Sequence, residues 1–263
     1  MILTKKQVNM KRKDFLRGLG LVGIGSFAIP ILNACSKDDD SESTSTDTDT
    51  DSGTATDTGS NSGSTDCSVT SSETAGPFPT ITPSSLVKSD IIMDRTGVAF
   101  KINITIQNTK ASCAALKDAI VDIWHCDKDG YYSEYGGTSM QSVNYTSSHF
   151  LRGRQTTDEN GLVAFTSIFP GWYTGRATHI HVHIYNSSGT SLLVTQIAFP
   201  EGSGSAVALV NASTANGYTK GLSGYTYNAS DNVFSDSVAN ELAEVTGSVS
   251  EGFVLKHTIK VAA

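Results

Sequence analysis

The chain has 263 residues and a formal charge of -7, from 19 Lys and Arg against 26 Asp and Glu. Beyond a short basic cluster near the N-terminus it carries no basic footprint for nucleic acid. Six prolines and twenty-four glycines are ordinary for a β-rich globular protein.

Residues 1–35 read as an export signal rather than as part of the fold. Lys11, Arg12, Lys13 and Arg17 form a positive n-region. Leu19 to Leu32 is apolar but shorter than the ~20 residues of a membrane span. Leu32-Asn33-Ala34-Cys35 then reads as a lipobox, with a small residue before the cysteine that would be lipidated after cleavage. Arg12-Lys13-Asp14-Phe15-Leu16 also resembles a twin-arginine signal with lysine in the second place. Ser36-Lys37-Asp38-Asp39-Asp40 has two readings, a surface-export tag like that of some Gram-negative lipoproteins or the start of an acidic linker.

Within residues 36–66, the stretch from Ser41 to Thr65 is almost all Ser, Thr, Asp and Gly. Such a composition buries no core and predicts a flexible tether. The expectation is an exported bacterial lipoprotein, anchored to a membrane through Cys35, with a periplasmic or cell-surface body over residues 67–263. Cys67, Cys113 and Cys126 remain in a compartment that permits disulfides. One bridge leaves one cysteine over, and spacing does not decide the pairing.

The body reads as β throughout. Phe100, Ile102, Ile104 and Ile106 alternate with polar residues, the pattern of a half-buried strand. Ala119 to His125 predicts a second strand, and Leu162 to Thr166 a third after the turn Asp158-Glu159-Asn160-Gly161. Thr178 to Tyr185, Leu192 to Phe199, and the alternating run from Phe253 to Val261 complete the set. Short strands between Gly, Asn and Asp turns predict an all-β sandwich. Asp236 to Val245 reads as its one helix, while Asp127 to Asn160 and Pro200 to Asp236 read as long loops that shape a site.

The run Arg176-Ala177-Thr178-His179-Ile180-His181-Val182-His183-Ile184-Tyr185 carries the chemistry. A strand has a side-chain period of two, so the imidazoles share one face and Ile180, Val182 and Ile184 the other. A polar face touching solvent would look similar, but three histidines in five positions suit metal ligation from one strand. Trp124 reads as core, and His125, His149 and His257 read as non-ligands. Tyr135 and Tyr145 read as cover over a cavity.

Three blocks then resemble the intradiol ring-cleavage dioxygenases. These are Gly153-Arg154-Gln155-Thr156-Thr157-Asp158-Glu159-Asn160-Gly161, Phe165 through Pro170-Gly171-Trp172-Tyr173, and Arg176-Ala177-Thr178-His179-Ile180-His181. Upstream, Val121-Asp122-Ile123-Trp124 leads to Tyr132, eight residues after the tryptophan, with Tyr131 as the alternative in a slipped register. Thr74-Ala75-Gly76-Pro77-Phe78 resembles the family's segment at the cavity mouth, and Val194-Thr195-Gln196 a strand that sends a glutamine toward substrate.

The resemblance implies one ferric ion per chain, held by Tyr132, Tyr173, His179 and His181. It implies cleavage of a catechol-type aromatic diol with O2 between the hydroxyl-bearing carbons, to a cis,cis-muconate-type diacid. Arg176 would stabilise developing charge, or else hold the ligand strand by a salt bridge. Gln196 would orient the reactants, and Thr74, Gly76, Pro77 and Phe78 would line the ring pocket. The chain departs from the family pattern in a short spacing from Tyr173 to Arg176, in lacking the helical N-terminal dimerisation segment, and in the extra His183. A zinc hydrolase built on His179, His181 and His183, and a non-catalytic surface-binding lipoprotein, are the competing readings.

Overall fold

A computed structural model describes residues 67–263, so the signal, Cys35 and the tether lie outside the described residues. Two sheets face one another. The first has five strands: β1 (Ala99–Asn108), β2 (Ala114–Ala115), β5 (Leu162–Ile168), β8 (Glu244–Ser248) and β9 (Gly252–Val261). The second runs in the order β4 (Arg152–Thr156), β3 (Ile120–Trp124), β6 (His179–Tyr185), β7 (Ser191–Ala198), all antiparallel. The parallel β1–β9 pair sets the last strand beside the first.

Alternation decides what each strand buries. Phe100, Ile102, Ile104 and Ile106 of β1 and Phe253, Leu255, Ile259 and Val261 of β9 turn inward. They meet Val121 and Ile123 of β3 and Ile180, Val182 and Ile184 of β6 in one continuous core. Burying such side chains stabilises the fold by about 1.5–3 kcal/mol each. The histidine face of β6 therefore lies on the outer side of the four-stranded sheet, away from this core.

The strand expectations are met, with three additions. The loop expected over Asp127 to Asn160 contains β4, whose polar sequence Arg-Gly-Arg-Gln-Thr hides the alternation. Strands β2 and β8 also lacked a hydrophobic signal. The helix expected over Asp236 to Val245 is absent. Val238 begins a turn, accepting from the amides of Glu241 and Leu242, after which Leu242 bridges Ala198 and Glu244 enters β8. Tertiary pairing to β7 and β9 overrides the helical spacing of Val238, Leu242 and Val245. Among the described residues the α-helix is instead α1 (Ala206–Asn211), capped by Ser205, whose hydroxyl accepts from the Ala208 amide.

The cysteine pairing left open by sequence is Cys67 with Cys113, and Cys126 is a buried free thiol. The bridge closes a loop with a sequence separation of 46. It ties the start of the described chain to the end of β1.

Candidate active site

Directly paired residues of neighbouring strands share a face, so the register of the second sheet writes a row across it. Arg152 pairs with Trp124, Trp124 with His181, and His181 with Gln196. All four are buried, although they lie on the outer face. The cover is made of loops: residues 125–151, 169–178 and 199–243, and the segment before β1. Trp124, read as core, is buried in a cluster with Phe78, Cys126 and Tyr132, and it also lies flat on the His181 ring, with centroids 4.9 Å apart and planes 3° apart.

Four donors meet over this row. Tyr132 Oη lies 3.2 Å from His179 Nε2, which lies 3.1 Å from His181 Nε2. The Tyr173 ring stands 5.8 Å from that of Tyr132 and 5.7 Å from that of His179, edge-on to both. Tyr132, His179 and His181 are at most 2% exposed, while Tyr173 is half-buried. Tyr131 instead packs toward Tyr145.

Each donor is held by its own local structure. The Gln141 side chain brackets Tyr132, accepting from its amide at 2.7 Å and donating to its carbonyl at 2.8 Å. The Asp127 side chain accepts from the amides of Asp129 and Tyr131 and tightens the preceding turn. Gly130 (φ +92) in that turn abuts the carbonyl of Trp172, so the two tyrosine-bearing loops meet backbone to backbone where a side chain would collide. The short spacing after Tyr173 is a tight turn in which the Arg176 amide donates to the Tyr173 carbonyl.

His179 Nδ1 lies 2.6 Å from the Ala177 carbonyl, which can only accept. That nitrogen carries the proton, and the Nε2 lone pair is aimed into the site. His181 Nδ1 is buried without a partner. If His181 carries its proton there, two lone pairs face each other at 3.1 Å; if on Nε2, a buried acceptor is orphaned. A cation shared between the two Nε2 atoms would turn the facing lone pairs from a cost into ligation.

Burial, and then the Arg176 charge, hold His179 well below the ordinary histidine value. Burial, His179 and Arg176 do the same to His181, so both rings are neutral imidazoles. Burial pushes the Tyr132 phenol well above its usual value and raises Tyr173, which Arg176 partly offsets. Two phenols that resist ionisation beside two neutral imidazoles fit a small, highly charged, hard cation, whose charge would drive the phenols to phenolates. The donor set therefore fits a ferric ion.

Around the donors lie the other residues expected at the site. Arg176 is buried in an ion pair with Asp231 and also donates to Gln196 Oε1 at 2.6 Å and toward Tyr173 Oη at 3.4 Å. It therefore both holds the ligand strand and faces the site. Gln196 Nε2 donates to the Thr74 carbonyl, drawing the mouth segment over β6. Gly76 (φ +69) lies against His181; a Cβ there would come within 2.9 Å of its Cε1. The Phe78 ring stacks on Tyr132 at 4.9 Å, whereas the Thr74 side chain and Pro77 are exposed.

His183 does not join. It sits one row further along the sheet, about 7 Å away for two strand residues. Its nitrogens bond the Ser191 and Tyr185 hydroxyls, each at 2.8 Å. The three-histidine zinc site is therefore not formed. His125 bonds the Cys126 carbonyl and Ser167, and His149 bonds Glu134, so neither is a donor to this cluster. A wider concavity of about 1010 Å³ lies on the outer face of the other sheet, over Asn103, Thr105 and Thr258, but the four donors open elsewhere.

Sequence reasoning missed Asp231, Gln141 and Arg152. Asp231 is fully buried and accepts from Arg176 Nε and from the amides of Ala177 and Val233. It lies in a long loop with no local pattern to mark it.

Residues 80–222 match the Dioxygenase_C family model, described as a dioxygenase. This chain belongs to the intradiol ring-cleavage dioxygenase family. The family is one of enzymes, which weighs against the non-catalytic reading. An intradiol ring-cleavage dioxygenase from Tetranychus urticae is similar in structure, at TM-score 0.64 and 26% identity over 74% of this chain and 95% of that one. The dioxygenase domain of a carbohydrate-binding fusion protein from Streptomyces sp. SirexAA-E shares the fold, at TM-score 0.51 and 21% identity over 73% of this chain and 97% of that one. A chlorocatechol 1,2-dioxygenase from Rhodococcus opacus is 28% identical over 156 residues, 49% of this chain. The chain spans about half the length of that relative, 56%.

Asp231→Ala leaves the buried Arg176 guanidinium without its countercharge and two buried amides, of Ala177 and Val233, without their acceptor. We expect a loss of about 3–5 kcal/mol in urea unfolding, against under about 1 kcal/mol for breaking the exposed Lys117–Glu159 pair. Equal losses for the two would refute the structural weight given to Asp231.

Proposed function

We propose that this protein is a ferric intradiol dioxygenase that cleaves a catechol-type diol with O2 to a cis,cis-muconate-type diacid. The observation that carries the reading is the convergence of the Tyr132 phenol oxygen and two imidazole Nε2 atoms in a buried site, with the half-buried Tyr173 ring edge-on to Tyr132 and His179. Tyr132, Tyr173, His179 and His181 would hold one ferric ion per chain. When bound, that ion would supply Lewis acidity toward a diol and so make its ring reactive toward dioxygen.

The chain's own residues supply the rest. Tyr173 is the half-buried member of the donor set, and its Oη, once ionised, would be the atom to take up a proton from an incoming diol. Arg176 Nη1, 3.4 Å from that oxygen, stabilises negative charge there and on the ring. Asp231 and Gln196 fix the guanidinium, so little reorganisation is needed when charge develops. Tyr132, His179 and His181 lie deeper and keep water from the reacting atoms.

Full-length protein loaded with iron should consume O2 and catechol in equal amounts and form the diacid. Arg176→Met should lower kcat by roughly 10²–10³, the usual effect of losing one electrostatic stabiliser. No oxygen uptake on catechol, protocatechuate, hydroxyquinol or larger aromatic diols would refute the assignment.

We also propose that residues 1–35 direct export, that Cys35 carries a lipid, and that residues 36–66 tether the enzyme to a membrane facing an oxidising compartment. The Cys67–Cys113 bridge supports such a compartment. Cys35→Ala should move the protein from the membrane fraction to the soluble fraction; unchanged membrane association would refute the anchor.

A further inference from the structure

Two buried ions lie beside the proposed active centre and take no part in the mechanism above. Arg152 is fully buried, and the Glu134 side chain is 1% exposed. Burying a charge is unfavourable unless hydrogen bonds satisfy it, so their partners show what the burial secures. Glu134 also holds a left-handed backbone (φ +67) that non-glycine residues adopt at a cost.

Those partners form a single pattern. Four consecutive residues of the mouth segment are each gripped from the Tyr132 side. The Phe78 carbonyl accepts from Arg152 Nη1 at 3.0 Å, and the Pro79 carbonyl accepts from Tyr135 Oη at 2.6 Å. Thr80 Oγ1 accepts from Arg152 Nη1 at 3.1 Å, and the Ile81 amide donates to Glu134 Oε2 at 2.7 Å. On its other side Arg152 donates to the hydroxyl and the carbonyl of Ser133, next to Tyr132. The fastened segment carries Phe78, whose ring lies 4.9 Å from Tyr132 and 6.3 Å from Tyr173. Phe78 is therefore a wall beside two proposed ligands, and beyond it Tyr135 is half-buried and Ile81 is exposed.

We propose that Arg152 and Glu134 are positioning residues that clasp segment 78–81 to the Tyr132 loop and so set the width of the opening that admits ring substituents. The proposal rests on the diol reading of the site. It assigns substrate size selection to the clasp rather than to the donors. Loosening it lets Phe78 withdraw, which favours bulky diols over unsubstituted catechol.

The test uses full-length iron-loaded protein with Arg152→Met, Glu134→Ala and Tyr135→Phe. The last removes one hydrogen bond at a half-buried ring and keeps the packing, so it remains informative if the buried-ion variants do not fold. The ratio of kcat/KM for 4-tert-butylcatechol to that for catechol should rise about three- to tenfold, the fold-change of one lost hydrogen bond. Hydrogen exchange at the Ile81 amide, read in metal-free full-length protein, should accelerate by a similar factor. If both substrates fall by the same factor and exchange is unchanged, the proposal is overturned. If the wild-type protein turns over none of the aromatic diols named above, the dioxygenase reading fails by itself; accelerated Ile81 exchange in the variants then still supports the clasp, and unchanged exchange overturns it.

Discussion

The period of two along β6 is the constraint on which the rest depends. Ile180, Val182 and Ile184 must face the first sheet to close the core, which sends His179 and His181 outward. The site therefore cannot lie between the sheets. It lies on the far face of the second sheet, which would be wet without cover. The long loops are the consequence: they bury a polar row that the strand pattern places outside the core.

Covering polar groups with loops creates a second demand, because every buried donor and acceptor then needs a partner. The structure answers with side chains that bind backbone. Gln141 brackets Tyr132, Asp231 accepts from the Ala177 amide, and Gln196 holds the Thr74 carbonyl. Arg176 joins Asp231, Gln196 and Tyr173, so one guanidinium links the helix-poor loop 199–243 to the donor cluster. The two imidazole Nε2 atoms face each other 3.1 Å apart, with the Tyr132 hydroxyl 3.2 Å from one of them. That is where the proposed ion would sit.

Legibility in the sequence followed the strength of local pattern. Strands with alternating Ile, Val and Phe, such as β1 and β9, were readable because burial imposes the alternation. Strand β4 was not, because Arg152 and Arg154 point to the polar face and Gly153 offers no side chain. The supposed helix over Asp236 to Val245 had the right spacing but lost to pairing with β7 and β9, while α1 is six residues long, too short to show a helical period. Tyr132, Tyr173, His179 and His181 were named through family motifs, and their side chains lie near one another in the structure. Asp231, Gln141 and Arg152 were invisible because they act through distant backbone atoms, and no local spacing records such partners. Trp124 was read only as core, since sequence does not show that its neighbour across the sheet is His181.

The central claim is that two phenolates and two imidazoles make this a ferric centre. The most direct measurement is the visible spectrum of full-length protein loaded with iron, compared with the variant carrying Tyr132→Phe and Tyr173→Phe together. The account predicts a purple-red protein whose phenolate-to-iron absorption is lost in the double variant while its far-ultraviolet circular dichroism is unchanged. A colourless iron-loaded protein, or a colour that survives removal of both tyrosines, would contradict it.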